Sequence, residues 1–584
     1  MFGAWGVLPI AVALLAFVTE RATRLVFRDA SPTERAAGAV IIAMGVVHAS
    51  VGWLAQLGVL SRASLLGLLG AAAGAIAFAA RKAPRQPLPR LTGVALVVGA
   101  AILGVVVVAT VTARILPVWQ WDSIGYHLPF VQFVLQTGSF DAVPRDVRYI
   151  STYPHNIELA MIWLRAMLPD DRLVDLAQVP FGLGGAVLTG AIARRLGASR
   201  ELGLLAGAAW LFAPGVFLQL PTNYVDVGTA AALLGALFFL VLSPATARNL
   251  IVGGVALGLF LGSKPSAPLA TALLMALVVV RAWRARQPGA LVALGFAVLV
   301  FGGEMYLVML LRHGNPVWPV ELHVGPWTLP GEHSVKELLA AGAATPRAEG
   351  GLVERLTLSW LAIDAPPVFD MRLGGFGALF LVAFPLAVAG LVRRRDGWLA
   401  LAVLASLASP DPSVTRYVLA FAAMVFALAM AELSLLEVRG AAVVGLVLAA
   451  GLGQLVHAWP GLVGDGPAWE ALWAMDDEER REAIGPSGRP TDYAASWSRV
   501  GTAEAAAFDV DFEFPGLLWS PEMRYPVHFV PQATGGALAS WLEERHVRLL
   551  AVGPVHGALI ERHPERWEKL FDCRSSACAV YLRR

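Results

Sequence analysis

Long apolar runs separated by short polar breaks dominate the chain. With roughly 20 apolar residues needed per bilayer crossing, the pattern predicts fourteen membrane-spanning helices, at about 3–19, 37–58, 64–80, 92–112, 174–193, 202–219, 225–242, 249–263, 266–281, 289–311, 376–392, 397–410, 416–434 and 441–458. Basic residues mark every second connection: Arg21, Arg24 and Arg28, then Arg81 and Lys82, Arg194 and Arg195, Arg281 and Arg284, and Arg393 and Arg394. By the positive-inside bias these connections face the cytoplasm. Both termini and three long polar segments, 113–173, 312–375 and 459–584, then share the opposite side. A transporter of inverted repeats would distribute its polar segments more evenly, so the work is expected on the outer face.

Composition agrees. Of 584 residues, 57% are hydrophobic and only 15% charged, and the mean hydropathy is +0.64, too apolar for a soluble globule. A net charge of +2 points to no nucleic-acid partner. The two cysteines, Cys573 and Cys578, are too few for a zinc site, and their spacing suits a short disulfide loop outside the cytoplasm. The first apolar run lacks a basic leader and a small-residue cleavage site, so it reads as a retained helix.

The outward connections carry the chemistry. In PVWQWDSIGYHLP, Asp122 lies at a membrane surface beside Tyr126 and His127, and a carboxylate there is a functional candidate as well as a candidate helix cap. Two apolar stripes, after His127 and after His155, are too short to cross and predict helices lying along the membrane. Arg148, Tyr153 and His155, between them, could hydrogen-bond a sugar or a phosphate. TNYVDVG brings a second acid, Asp226, beside Asn223. Two such carboxylates could form an acid/base pair or hold a divalent cation. GSKPSAP places Lys264 in a helix break, where irregular backbone is tolerated mainly if it lines a polar cavity. Arg416, opening a late span, suits a grip on a lipid phosphate or a pair with Asp411. After Gly461 the pattern becomes that of a soluble α/β unit: strands over AFDVDFEF, VRLLAVG and CAVYL, and helices over ALASWLEERH and HGALIERHPERWEKLF. No Walker loop or dinucleotide fingerprint is present.

WDSIGYHLP, TNYVDVG, GSKPSAP, GNPVWP and RY, in that order and on one side, together resemble the membrane glycosyltransferases of the GT-C fold, closest to the family-39-like protein mannosyltransferase and aminoarabinose transferase type. The resemblance covers 92 to 584. It implies a polytopic α-helical bundle of about fourteen spans with outer-face interfacial helices. Residues 1–91 would be additional N-terminal helices, 92–458 the catalytic core, and 459–584 a small extracytoplasmic α/β domain. It further implies a multi-pass enzyme of the bacterial inner membrane with a periplasmic active face. Such an enzyme moves a sugar from a polyprenyl-phosphate donor to a glycan, lipid or protein acceptor. Asp122 would be the general base or the aligner of the acceptor hydroxyl, and Asp226 would orient the acceptor or hold a divalent cation if one is used. Lys264 and Arg416 would bind the donor phosphate. Tyr126, His127, Arg148, Tyr153, His155 and Asn223 would line the substrate site. The tandem acid of some members is absent, since Trp121 and Ser123 flank Asp122. A transporter and a non-catalytic assembly partner on the same scaffold remain the alternatives.

Overall fold

The computed structural model describes residues 6–83, 92–145, 147, 149–334, 337, 349–363, 367, 375–436, 440–464, 466–484, 490–531, 537–573 and 577–584. Each apolar run named above contains helix among its described residues. Among the described residues, seven helices are long and apolar enough to cross a membrane, or up to eight if a bent pair counts as one span, and others, such as Ala247–Leu261, are shorter. The chain is a helical membrane protein. The run over 289–311, expected to be one straight span, is instead two helices, Pro288–Gly302 and Glu304–His313, bent by 73°.

Helix starts follow local rules. Ser31 accepts from the Glu34 amide while the Glu34 carboxylate returns the bond, a capping box that opens Pro32–Gln56. Arg62–Ala79 opens on Ser61 and Ser64 in the same way. The Leu128–Thr137 helix stops at Gly138, whose φ of 74° is left-handed, a conformation that glycine adopts without a Cβ penalty.

The helix running to Leu435 is the centre of the bundle. From Leu419 to Glu432 every residue is buried, and it packs against Ala378–Arg394, Arg200–Phe212 and Gln178–Arg195. Where helices cross closely, small residues permit it. At the crossing of Ala247–Leu261 and Pro288–Gly302, a Cβ on Gly302 would lie 2.2 Å from the Gly258 carbonyl oxygen.

A short three-stranded sheet follows the bent pair: β1 (Val320–Val324) pairs antiparallel with β2 (Trp327–Leu329) and parallel with β3 (His333–Ser334). The C-terminal unit is a five-stranded sheet of β4 (Ala505–Phe508), β5 (Val527–Phe529), β6 (Val547–Val552), β7 (Trp567–Asp572) and β8 (Ala579–Arg583), in the order β5-β4-β6-β8-β7. The first three strands run parallel, and β8 is antiparallel to both β6 and β7. Two expectations need correction. The strand over AFDVDFEF ends at Phe508, because the Asp509 carboxylate turns the chain by accepting from the Asp511 and Gly553 amides. The helix over HGALIERHPERWEKLF ends at Ile560, ahead of Pro564, and WEKLF is strand β7. Cys573 and Cys578 are disulfide-bonded between β7 and β8.

Strand alternation gives the sheet two apolar faces. Ala505, Ala507, Leu550, Val552 and Tyr581 form a core with Leu538 and Ile560 of the covering helices. Ala506, Phe508, Leu549, Ala551 and Val580 join the core of the helical bundle. The Gln136 side chain seals that junction, accepting from Val527 N at 2.9 Å and Trp519 Nε1 at 3.2 Å and donating to Val527 O. Gly302→Ala is expected to lower stability by about 1–3 kcal/mol through overpacking, read as a lower unfolding temperature in detergent. Gly295→Ala on the same helix, where a Cβ meets nothing within 4 Å, is expected to leave it unchanged.

Candidate functional site

Four helix ends converge on one cluster of charge. Asp122 precedes a π-helical turn, Ser123–His127, in which the Leu128 amide bonds to the Ser123 carbonyl. Bonding five residues apart sets His127 one turn from Asp122, on the same side, and single π turns of this kind favour functional positions. Asp226 is the first residue of its helix, where the N-terminal dipole favours a carboxylate. Lys264 sits in the break between Ala247–Leu261 and Ala267–Arg284. Arg416 lies in the 3-10 turn that opens the central helix.

Arg416 joins the two acids. Its Nη1 is 2.9 Å from Asp122 Oδ2 and 3.8 Å from Asp226 Oδ2, and Lys264 Nζ donates to Asp226 Oδ1. Aromatic faces complete the surround: the Arg416 guanidinium lies 4.9 Å from the Tyr224 ring and 5.1 Å from the Tyr417 ring, and Lys264 Nζ lies 4.4 Å from Tyr417. Asp411, a possible partner for Arg416 on sequence grounds, is bound by Arg355 at 3.1 Å instead. Burial alone would raise the Asp122 carboxyl, but the charge and hydrogen bond of Arg416 outweigh it and bring it below the usual carboxylate value. Burial, then the charge of Asp122, pushes the Tyr126 phenol well above its ordinary value.

A second cluster adjoins the first. Glu158, the opening residue of Glu158–Met167, is 1% exposed. Its Oε1 accepts from His127 Nδ1 at 2.7 Å and from His155 Nδ1 at 3.1 Å. His155 Nε2 in turn meets the Ile150 carbonyl at 2.9 Å, and its ring stacks on Phe130 at 3.7 Å. Burial pushes the Glu158 carboxyl up, but the His155 charge and the His127 hydrogen bond outweigh it and bring it down to about 2. Tyr126 faces Tyr149 at 5.5 Å and Tyr153 at 5.8 Å, so Tyr126, His127 and Tyr153 share one wall. The side-chain amide of Asn223 is fully buried beside Tyr224 and has no hydrogen-bond partner among the described residues; Gln219 is the same. Arg148 lies outside the described residues.

Glu158 was not singled out from the sequence; His155, three residues before it, precedes the helix that Glu158 opens. Among the described residues no group of three or more His, Cys, Asp or Glu side chains could hold a metal ion. Arg416 and Lys264 already engage the facing oxygens of Asp122 and Asp226, so this pair does not fit a divalent cation as it stands. A crevice lined by Trp119, Ile124, Leu128, Trp497 and Trp519 touches the Ser123–His127 turn, but none of the four charged residues lines it.

Fold and site together define a helical membrane protein whose charged centre is assembled from helix breaks. Two solved structures share its architecture. ArnT from Cupriavidus metallidurans in the apo state has a TM-score of 0.51 and 14% identity, the match covering 83% of this chain and 97% of that one. The same protein bound to undecaprenyl phosphate has a TM-score of 0.53 and 14% identity, covering 84% and 98%. The GT-C fold expected from the motifs is therefore the fold of this chain. No family model and no curated protein matches it.

Arg416 neutralises two buried acids, so Arg416→Gln leaves them facing each other and is expected to destabilise the protein by about 3–5 kcal/mol at pH 7. The Asp122→Asn/Arg416→Gln double variant should recover part of that loss in thermal unfolding. Asp122 is held below its unfolded value of about 3.9, so the stabilisation is complete above that pH and is lost as pH falls through the lower, folded value. The gap between wild type and Arg416→Gln should be widest at neutral pH and narrow as pH falls, because the variant's facing carboxyls take up a proton before those of the wild type.

Proposed function

We propose that the protein is a membrane glycosyltransferase that moves a sugar from a polyprenyl-phosphate donor to an acceptor on the extracytoplasmic face of a bacterial inner membrane. The observation that carries this reading is the meeting of Asp122, Asp226, Lys264 and Arg416 at four helix breaks. The undecaprenyl phosphate of a neighbour with the same fold supports it. A donor whose sugar already sits on a phosphate leaving group needs no nucleotide site. The enzyme has only to align the acceptor and stabilise the departing anion.

Each charged group then has a task. The donor phosphate draws Lys264 and Arg416 away from the carboxylates they hold at rest. Asp122, released, accepts the hydrogen bond of the acceptor hydroxyl, aligns its oxygen on the anomeric carbon and is the first oxygen to take its proton. Asp226 remains against the cations and fixes their position. Tyr126 and Tyr153 offer ring faces and hydroxyls to sugar, and Asn223 a buried amide. The acceptor is a glycan, lipid or protein bearing a hydroxyl.

Reconstituted with polyprenyl-phosphate sugars and an envelope extract as acceptor, the wild-type protein is expected to transfer sugar. Asp122→Asn should lower turnover at least about 100-fold, and Lys264→Ala should raise the donor KM about tenfold. A folded Asp122→Asn variant transferring at the wild-type rate would contradict the assignment.

A further inference from the structure

The Glu158 cluster gives His127 a role that substrate contact alone does not explain. Resting on the transferase reading, we propose that His127 Nε2 is the group on which the acceptor's proton comes to rest, and that Glu158 and His155 are the positioning residues that prepare it.

Hydrogen-bond direction sets the protonation of the cluster. Both partners of His155, the Glu158 carboxylate and the Ile150 carbonyl, are acceptors, so both its ring nitrogens donate and the ring is a cation. The face of Phe130 at 3.7 Å suits that charge. Glu158 is an acceptor for His127 as well, so His127 carries its proton on Nδ1, and Nε2, across the ring from Glu158, holds the lone pair.

The groups facing His127 come from several elements. From its own turn come Asp122 and Tyr126, the latter with its ring 4.1 Å away. From the following helix and the segment before it come Glu158 and His155. From the loop before Asp226 comes Tyr224, at 6.2 Å. Beyond Tyr224 lie Arg416, Asp226 and Lys264, while Tyr149 and Tyr153 stand behind Tyr126. The carboxylates Asp122, Asp226 and Glu158 face the cations Lys264, Arg416 and His155, and Glu304 also acts on His155. His127, donating through Nδ1 to Glu158, is the base of this site through Nε2. Asp122 is held below the usual carboxylate value and keeps a proton poorly, whereas His127, one turn away, offers the lone pair of Nε2.

The step balances. The hydroxyl proton passes to Asp122 and from it to His127 Nε2, which becomes an imidazolium. The freed oxygen pair forms the bond to the anomeric carbon. The bond from that carbon to the phosphate oxygen breaks, and its electron pair leaves on the lipid phosphate, facing Lys264 and Arg416. His127 afterwards loses its proton to water.

The test is the pH dependence of sugar transfer from a polyprenyl-phosphate donor by the full-length protein. Wild-type turnover is expected to rise with pH through a single ionisation. His127→Asn should abolish that rise and lower the plateau at least about 100-fold, with the donor KM unchanged. A folded His127→Asn variant that keeps both the rise and the plateau overturns the proposal. Should His127→Asn fail to fold, Glu158→Gln carries the test: a displaced pH rise supports the proposal, and an unmoved one overturns it. Histidine C2–H exchange, read by mass spectrometry, separates this from the transferase reading. If the wild-type protein transfers no sugar, that reading fails. The charge arrangement is then judged by whether His127 and His155 titrate separately. Joint titration of the two overturns it.

Discussion

The structure depends on one arginine buried between two acids. Arg416 reaches Asp122 and Asp226 from the start of a deeply buried helix, Leu419–Leu435. At such separations, opposite charges in a partly dry environment attract by about 4 kcal/mol each, and an unpaired charge in the same place is strongly destabilising. The carboxylates and the cations therefore hold one another in place, and with them the four helix breaks that carry them. Such an arrangement stores binding capacity: an anion that enters exchanges one partner of each cation for another rather than exposing a bare charge.

The rest of the fold serves to keep those breaks in register. Asp122 stands on a short turn clamped from two sides. Toward the bundle it meets Arg416. Toward the C-terminal unit, Trp121 packs edge-on against Phe514 at 6.0 Å, and the turn is covered by Pro515–Leu518. The five-stranded sheet therefore acts as a buttress as well as a cover, since one of its faces belongs to the same core as the helices. The N-terminal helices are tied in similarly, His48 bonding Asn156 at 3.0 Å just after His155.

Much of the charged cluster was legible in the sequence because polar residues in an apolar chain are conspicuous. Asp122, Asp226, Lys264 and Arg416 each interrupt or open an apolar run, and the order of their motifs pointed to the fold. Glu158 was not legible, since an acid at the start of an amphipathic helix ordinarily serves the helix dipole, and only the long-range contact with His127 gives it another meaning. The 73° bend after Gly302 was hidden within a continuous apolar run. There Glu304 is the sole charged residue before Arg312, and composition cannot distinguish one long helix from two. In the C-terminal unit, WEKLF carries no clean alternation, its two sides being only partly buried, and pairing with β8 overrides local preference.

The central claim is that Lys264 and Arg416 exist to hold a lipid phosphate. It is tested most directly by an experimental structure of the protein in lipid with undecaprenyl phosphate bound. The account predicts phosphate density within hydrogen-bond reach of both side chains, with Asp122 released from Arg416. Phosphate bound elsewhere, with the Asp122–Arg416 pair intact, would contradict it.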